Sequence, residues 1–254
     1  MLIASSCEEV IEVDLNSASP VLVADGLIVK DSVSWIRLSY TTDYFNSTQP
    51  VWVSDARVVL HDNAGNSELL NYYGNGLYKG SGLKGKPNRE YEMSFTLKGS
   101  VYRANSMLYP PAVFYEMKFE KSAFKQPGED KQLYTVNLKF SDDTDTENFY
   151  NIEFLVNGVP DSESYTLITD KYFATGDIML FSPRWKFFEK DDVVKVIITS
   201  LDEKEYTYLN QLNDLVSAGM GGSSTPYNPV SNFGASVLGY FRAGSSVSHV
   251  AVVK

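Results

Sequence analysis

The sequence predicts an all-β protein of two packed antiparallel β domains, an immunoglobulin-like sandwich followed by a sandwich or partly open barrel carrying one α-helix. Three observations carry that prediction. Tyr91-Glu92-Met93-Ser94-Phe95-Thr96-Leu97-Lys98 alternates apolar and polar residues without error, and only a strand sends such neighbours to opposite faces. The same rhythm recurs through most of the chain. Aromatics reach 13%, with 17 Tyr and 14 Phe, which favours strands over helices.

The elements follow in order. Val10 to Leu15 alternates as a first strand, and Ser17 to Pro20 breaks it. Val21 to Val29 is apolar except at Asp25-Gly26, which predicts a bulge or sharp bend. Val33 to Tyr40 follows, with Ile36, Leu38 and Tyr40 on one face. In Ser54 to His61, Ala56, Val58 and Leu60 face inward and His61 outward, ahead of the turn Asp62-Asn63-Ala64-Gly65. Glu68 to Tyr73 is a short strand. The glycine-rich run Gly74 to Gly85 reads as a flexible hairpin loop, because no helix N-terminus follows it to make a phosphate cradle. After the Tyr91 strand, Gly99-Ser100 turns the chain and Val101 to Ser106 returns it.

Tyr109-Pro110-Pro111 interrupts the ladder, since proline lacks the N–H a central strand needs, and marks the domain boundary. The division is therefore residues 1–9 as a signal remnant and anchor segment, 10–106 as the first domain and 107–254 as the second. In the second, Tyr115, Met117 and Phe119 point inward, as do Val136, Leu138 and Phe140, and then Tyr150, Ile152, Phe154 and Val156. Asp170 to Lys190 is irregular, with Trp185, Phe187 and Phe188 expected to plug a core edge. Val193 to Leu201 is a strand. The helix is expected near 201–217, with Ser200 and Glu203 forming a capping box and Tyr208, Leu209, Leu212, Leu215 and Val216 on its apolar face. Gly219 stops it. A Gly/Ser/Pro/Asn loop to Asn232 precedes two closing strands, Ala235 to Ala243 and Val247 to Val253.

Composition narrows the function. A formal net charge of -10 repels phosphate backbones, so nucleic acid is not an expected partner. No apolar run approaches the roughly 20 residues of a spanning helix. One cysteine, Cys7, leaves no intrachain disulfide, and two histidines, His61 and His249, cannot build a His-rich metal site. Asp143, Asp145 and Glu147 have the alternate spacing of a calcium loop. The glycine and final glutamate of such a loop are absent, with Asn148 and Phe154 at those positions, so an Asx-rich turn is preferred and no metal is expected. No nucleophile elbow or triad context surrounds either histidine. A hydrolase working through a carboxylate pair, as glycosidases do, is the alternative to a non-catalytic protein.

MLIASSC, followed by Glu8-Glu9, has the form of a signal tail ending in small residues before a lipidated cysteine, here Cys7. An incidental cysteine beside a solvated charge pair is the competing reading. Tyr227, in the loop from Gly219 to Asn232, is the candidate partner-binding residue: either a rigid contact for a partner or an anchor packed down onto the domain.

Ser231-Asn232-Phe233, Gly234 and Val237-Leu238-Gly239-Tyr240-Phe241-Arg242-Ala243 form a closing "SN…G…GxF" pattern. Other landmarks precede it in order: Pro20 to Gly26, Leu38-Ser39, Ala56-Arg57-Val58, Gly76 with Tyr78, Tyr102-Arg103-Ala104, Asp142-Asp143 with Asn148-Phe149-Tyr150, and Ser200 to Leu212. Together these resemble the domain of unknown function 4249 family of Bacteroidetes outer-membrane lipoproteins. Phe149 and Phe233 depart from the pattern while keeping its bulk. The resemblance implies a protein lipid-anchored to the outer membrane through Cys7 and surface-exposed. It further implies a protein often encoded beside a TonB-dependent receptor, with no catalytic residues to carry over, so a non-catalytic accessory that binds a nutrient or that receptor is expected, with no cofactor.

Overall fold

The computed structural model describes residues 19–42, 50–124, 131–141, 147–160, 164–171, 178–219 and 227–254. Cys7, the Val10 to Leu15 strand, Asp143, Asp145 and most of the loop before Tyr227 lie outside them.

The first lobe is built from β1 (Leu22–Val29), β2 (Val33–Tyr40), β3 (Val51–Trp52), β4 (Arg57–Asp62), β5 (Ser67–Leu69), β6 (Asn71–Tyr72), β7 (Leu77–Lys84), β8 (Arg89–Leu97) and β9 (Ser100–Leu108). The second has β10 (Val113–Lys121), β11 (Tyr134–Ser141), β12 (Phe149–Val156), β13 (Val159–Pro160), β14 (Leu167–Thr169), β15 (Met179–Phe181), β16 (Val193–Leu201) and α1 (Glu203–Gly219). Two closing strands follow, β17 (Val237–Leu238) and β18 (Phe241–Val252). The architecture is all-β with packed sheets and one helix, and no sheet among the described residues closes into a barrel.

In the first lobe the sheet β5-β4-β8-β9 packs on β1, β2, β7 and β6. The alternating stretch behaves as its pattern dictates: Tyr91, Met93, Phe95 and Leu97 are all buried. Lys98 and Gly99, with φ of 49° and 83°, make the two-residue turn into β9 that needs positive φ twice. The turn after β4 is organised by Asp62. Its Oδ1 accepts from the N–H of Ala64 (3.1 Å) and of Asn66 (2.8 Å), and Arg89 pairs with its Oδ2. Burial opposes the charged carboxylate, but these donors outweigh it and hold Asp62 below its ordinary pKa.

Several local expectations are corrected. Asp25-Gly26 is not a bulge, since β1 pairs with β2 in unbroken register from Leu22↔Tyr40 to Leu27↔Trp35. The site is tight, since the Phe241 ring lies 3.1 Å from where a Cβ on Gly26 would stand. The Glu68 to Tyr73 run is two strands, broken at buried Leu70 where the chain changes sheets. The glycine-rich run is not a flexible loop but holds β7. Residues between Lys79 and Lys84 bulge away from β2. Their N–H groups are satisfied by Glu68, whose carboxylate accepts from Ser81 (2.6 Å), Gly82 (2.8 Å) and Leu83 (2.9 Å).

In the second lobe β10-β11-β15 packs on β12, β16 and the distal part of β18. A bulge between Phe114 and Glu116 turns Phe114 inward and Tyr115 outward, so Tyr115 does not face the core as its alternation predicts. Of the three aromatics expected to plug a core edge, Phe188 is buried, Phe187 stacks on Phe124 at 5.0 Å, and Trp185 stands in solvent.

The final segment differs most from expectation. The chain turns at Gly239 and then runs on as one 12-residue strand, rather than turning at Gly244 to Ser246. Phe241 to Gly244 pair in parallel with β1, and Ser245 to Val252 pair antiparallel with β16. The first core therefore contains Phe233, Val237, Phe241 and Ala243, so residues after 107 contribute to both cores. The β1 pairings with β17 and β18 also make this sheet mixed instead of purely antiparallel.

Candidate functional site

The helix starts where β16 ends, at the junction of the two lobes. Its N-cap is Asp202, not Ser200. Asp202 Oδ1 accepts from the Glu205 N–H at 2.7 Å, and the first helical bond runs from Tyr206 N–H to the Asp202 carbonyl. Ser200 is the penultimate residue of β16 and its buried hydroxyl is unpartnered among the described residues. Asp202 also ties the lobes together. Its Oδ2 accepts from the Ser106 hydroxyl (2.6 Å) and the Met107 N–H (3.2 Å), while Ser106 Oγ accepts from the Ala243 N–H (3.0 Å). The buried helix positions are Glu205 and Leu209; Leu212 is half-buried and Val216 is exposed.

Glu205 sits one turn along, only 4% exposed, with Oε2 unpartnered among the described residues. Burial pushes its carboxyl up to about 8; Arg242 opposes the shift and the Asp202 carboxylate adds to it. The neighbouring Tyr240 hydroxyl is likewise buried and unpartnered, and burial raises its pKa. The Tyr240 ring stacks on Tyr208 at 4.7 Å.

Against this junction lies a groove of about 640 Å³. Its floor comes from the outward face of β8 and β9, where Glu92 and Arg103 form an ion pair at 3.5 Å and Asn105 stands beside them. One wall is the first half of α1, presenting Lys204, Thr207, Tyr208 and Gln211. The other is Val230 to Asn232 with Tyr240. Asn232 fixes this wall: its Nδ2 donates to the carbonyls of Asn105 (3.1 Å) and Phe241 (2.8 Å), and its Oδ1 accepts from the Phe241 N–H (2.9 Å). The groove thus offers donors and acceptors of both charge signs along one stacked tyrosine pair.

Of the residues singled out from sequence, Tyr227 lies just beyond the groove. Its hydroxyl donates to the Gln211 carbonyl at 3.2 Å and approaches Asp214 Oδ2 at 3.5 Å, while the side chain stays 41% exposed. Glu147 is exposed, and its Oε1 accepts from the Thr169 hydroxyl at 3.1 Å. Its calcium companions Asp143 and Asp145 are outside the described residues, among which no metal-ligating cluster occurs. Cys7 is outside them too. His61 is exposed, and His249 stacks on Phe114 at 4.9 Å. The sequence reading passed over Asp202 and Glu205. The Asp202-x-x-Glu205 spacing before the apolar helix positions was the available signal.

Fold and site together define a two-lobed, all-β protein whose lobes share their last strand and enclose a polar groove beside the helix. The chain belongs to the family described as a domain of unknown function (DUF4249), which matches residues 8–249. Comparison with curated proteins finds no match. Many of the residues that carry the family resemblance surround the junction: Arg103, Lys204, Ser231, Asn232 and Tyr240 line the groove itself. Among the described residues no helix is long and apolar enough to cross a membrane.

Proposed function

We propose that the protein is a non-catalytic accessory protein, held at the outer membrane through a lipid on Cys7, that binds a small polar nutrient beside a TonB-dependent receptor. The observation that carries this is the groove, where Arg103, Lys204, Gln211 and Tyr208 converge on a space of about 640 Å³. The rival, a hydrolase using a carboxylate pair, has among the described residues the adjacent buried carboxylates Asp202 and Glu205, and Glu92 and Glu203 on the junction groove. Asp202 spends both oxygens on the cap and the lobe junction, and Glu205 lines neither large groove. Proton transfer to a bound substrate needs a carboxyl within hydrogen-bond reach of it. Of the two carboxylates that line the junction groove, Glu92 is engaged by Arg103, which leaves Glu203 without a second free carboxylate beside it, so the binding reading is preferred.

The test is purification from native membranes, followed by mass spectrometry of the small molecules released on denaturation. Re-adding the released fraction should raise the melting temperature of the wild type and not of Lys204→Ala/Tyr208→Ala. Ligand at a hundredfold excess over Kd stabilises by about 2.7 kcal/mol. Turnover of that fraction instead of retention would sink the non-catalytic reading. For the anchor, labelled palmitate should enter the wild type and not Cys7→Ser; equal label in both refutes it.

A further inference from the structure

A second groove opens in the distal lobe, remote in the chain from the junction residues, at the edge of β12 between β13 and β14. Leu155 pairs with Pro160 at one end and Asn151 with Leu167 at the other, leaving Ile152 to Phe154 facing a space of about 460 Å³. Trp185 borders it, 69% exposed, with Phe181 edge-on behind it at 6.5 Å. Tyr165 also lines it and is held firmly: its N–H donates to Asn213 Oδ1 (2.9 Å), and Asn213 Nδ2 donates to its carbonyl (2.8 Å). Pro160 and Pro183 stiffen the remaining border. The polar lining includes one carboxylate, Glu153, oriented by a bond from Asn151 Nδ2 at 2.9 Å, and one ammonium, Lys186.

This lining selects a chemistry. A purely apolar ligand would strip water from the exposed Glu153 carboxylate without replacing its hydrogen bonds, which is costly. A multiply charged anion would meet one carboxylate for its one ammonium, within a chain of net charge -10. A neutral molecule with one flat C–H face and a hydroxylated rim satisfies every wall. Its C–H face covers the indole, where aromatic surface contributes most, and its hydroxyls donate to the carboxylate and accept from the ammonium. We infer that this groove is a saccharide-binding site, with a pyranose ring stacked on Trp185 and its hydroxyls bonded by Glu153 and Lys186. The site stands independently of the junction groove.

The test uses the full chain and the indole N–H resonances of its three tryptophans, that of Trp185 assigned with Trp185→Phe. The probes are maltotriose, cellotriose, xylotriose and chitotriose, with trigalacturonate and an anilinonaphthalene sulfonate as charged and apolar controls. At least one neutral trisaccharide should shift the Trp185 resonance at millimolar concentration. Trp185→Ala, titrated by calorimetry because its reporting indole is gone, should weaken binding by about tenfold or more, as loss of an aromatic stack does. Glu153→Gln should also weaken it, and neither variant should change the melting temperature, both side chains being exposed. Tyr208→Ala, in the junction groove, should leave binding unchanged. Silence from all four neutral sugars, undiminished binding in Trp185→Ala, or preference for either control overturns the inference.

Discussion

Glu205→Gln should make the protein more stable at pH 8 than the wild type, while the two match near pH 4. Burial beside Asp202 pushes the wild-type carboxyl up to about 8 in the fold, from an ordinary value of 4.5. Its folded pKa is raised, so its stabilising share is complete below the unfolded value. That share declines as pH climbs from about 4.5 to about 8, because the unfolded chain ionises first. Above that window both states are ionised and the dependence ends. At about 1.4 kcal/mol per pKa unit, the loss is on the order of 5 kcal/mol, less whatever water admitted around the ionised group recovers. The amide keeps the shape and a donor and cannot ionise. Asp202, Arg242 and Tyr240, which also face the site, remain in both proteins and cancel in the difference. Urea unfolding at pH 4, 6 and 8 gives that difference directly. A gain of roughly 2 to 5 kcal/mol at pH 8 is expected, or several degrees in Tm. Parallel profiles at all three pH values, or a variant weaker than wild type at pH 8, would refute the reasoning.

Three further outcomes are expected from denaturant unfolding. Asp202→Ala removes the cap, worth about 1 kcal/mol, and strands the Ser106 hydroxyl and Met107 N–H, adding about 1–3 kcal/mol; Asp202→Asn should recover much of the loss. Gly239→Ala should cost more than about 2 kcal/mol, because φ is 88° and the new Cβ would lie 2.2 Å from the Ala24 carbonyl oxygen. Gly65→Ala, at φ 86° with nothing within 4 Å, should cost distinctly less. Asp62→Ala leaves Arg89 without its buried partner and should cost about 3–5 kcal/mol near neutrality. Since the Asp62 pKa is lowered, that gap should close as pH falls below the ordinary carboxylate range.

Period-two alternation located nearly all the long strands because burial on one face leaves a mark every second residue. Tyr91 to Leu97 and Val136 to Phe140 show it without exception. It failed where pairing, not burial, makes the strand. The glycine-rich β7 has few apolar side chains to alternate, and the acceptor for the N–H groups that bulge away from β2 is Glu68, a dozen residues upstream. A bulge reverses the rhythm at Tyr115, and no local pattern distinguishes it from Phe114. The helix was legible from its spacing, but two hydroxyl- or carboxylate-bearing residues competed for its cap. Ser106, far away in sequence, decides for Asp202. The groove was least legible: its floor on β8 and β9 is far removed in the chain from the helix and the Val230 to Tyr240 segment that wall it, and no window along the chain can join them.

The pairing of Gly26 with Phe241 also sets an order of events. Strand β1 has one neighbour nearby in the chain, β2, while its other edge is completed by β17 and β18, which are synthesised long after it. Contacts of such sequence separation are slow to form, since a long loop must close before any bond rewards it. Until β17 and β18 arrive, the first sandwich lacks Phe233, Val237 and Phe241 from its core and shows an unpaired strand edge. A chain truncated anywhere before Phe241 therefore exposes a ready template for pairing with its own copies. Refolding of the whole protein should depend on concentration long before its native state does.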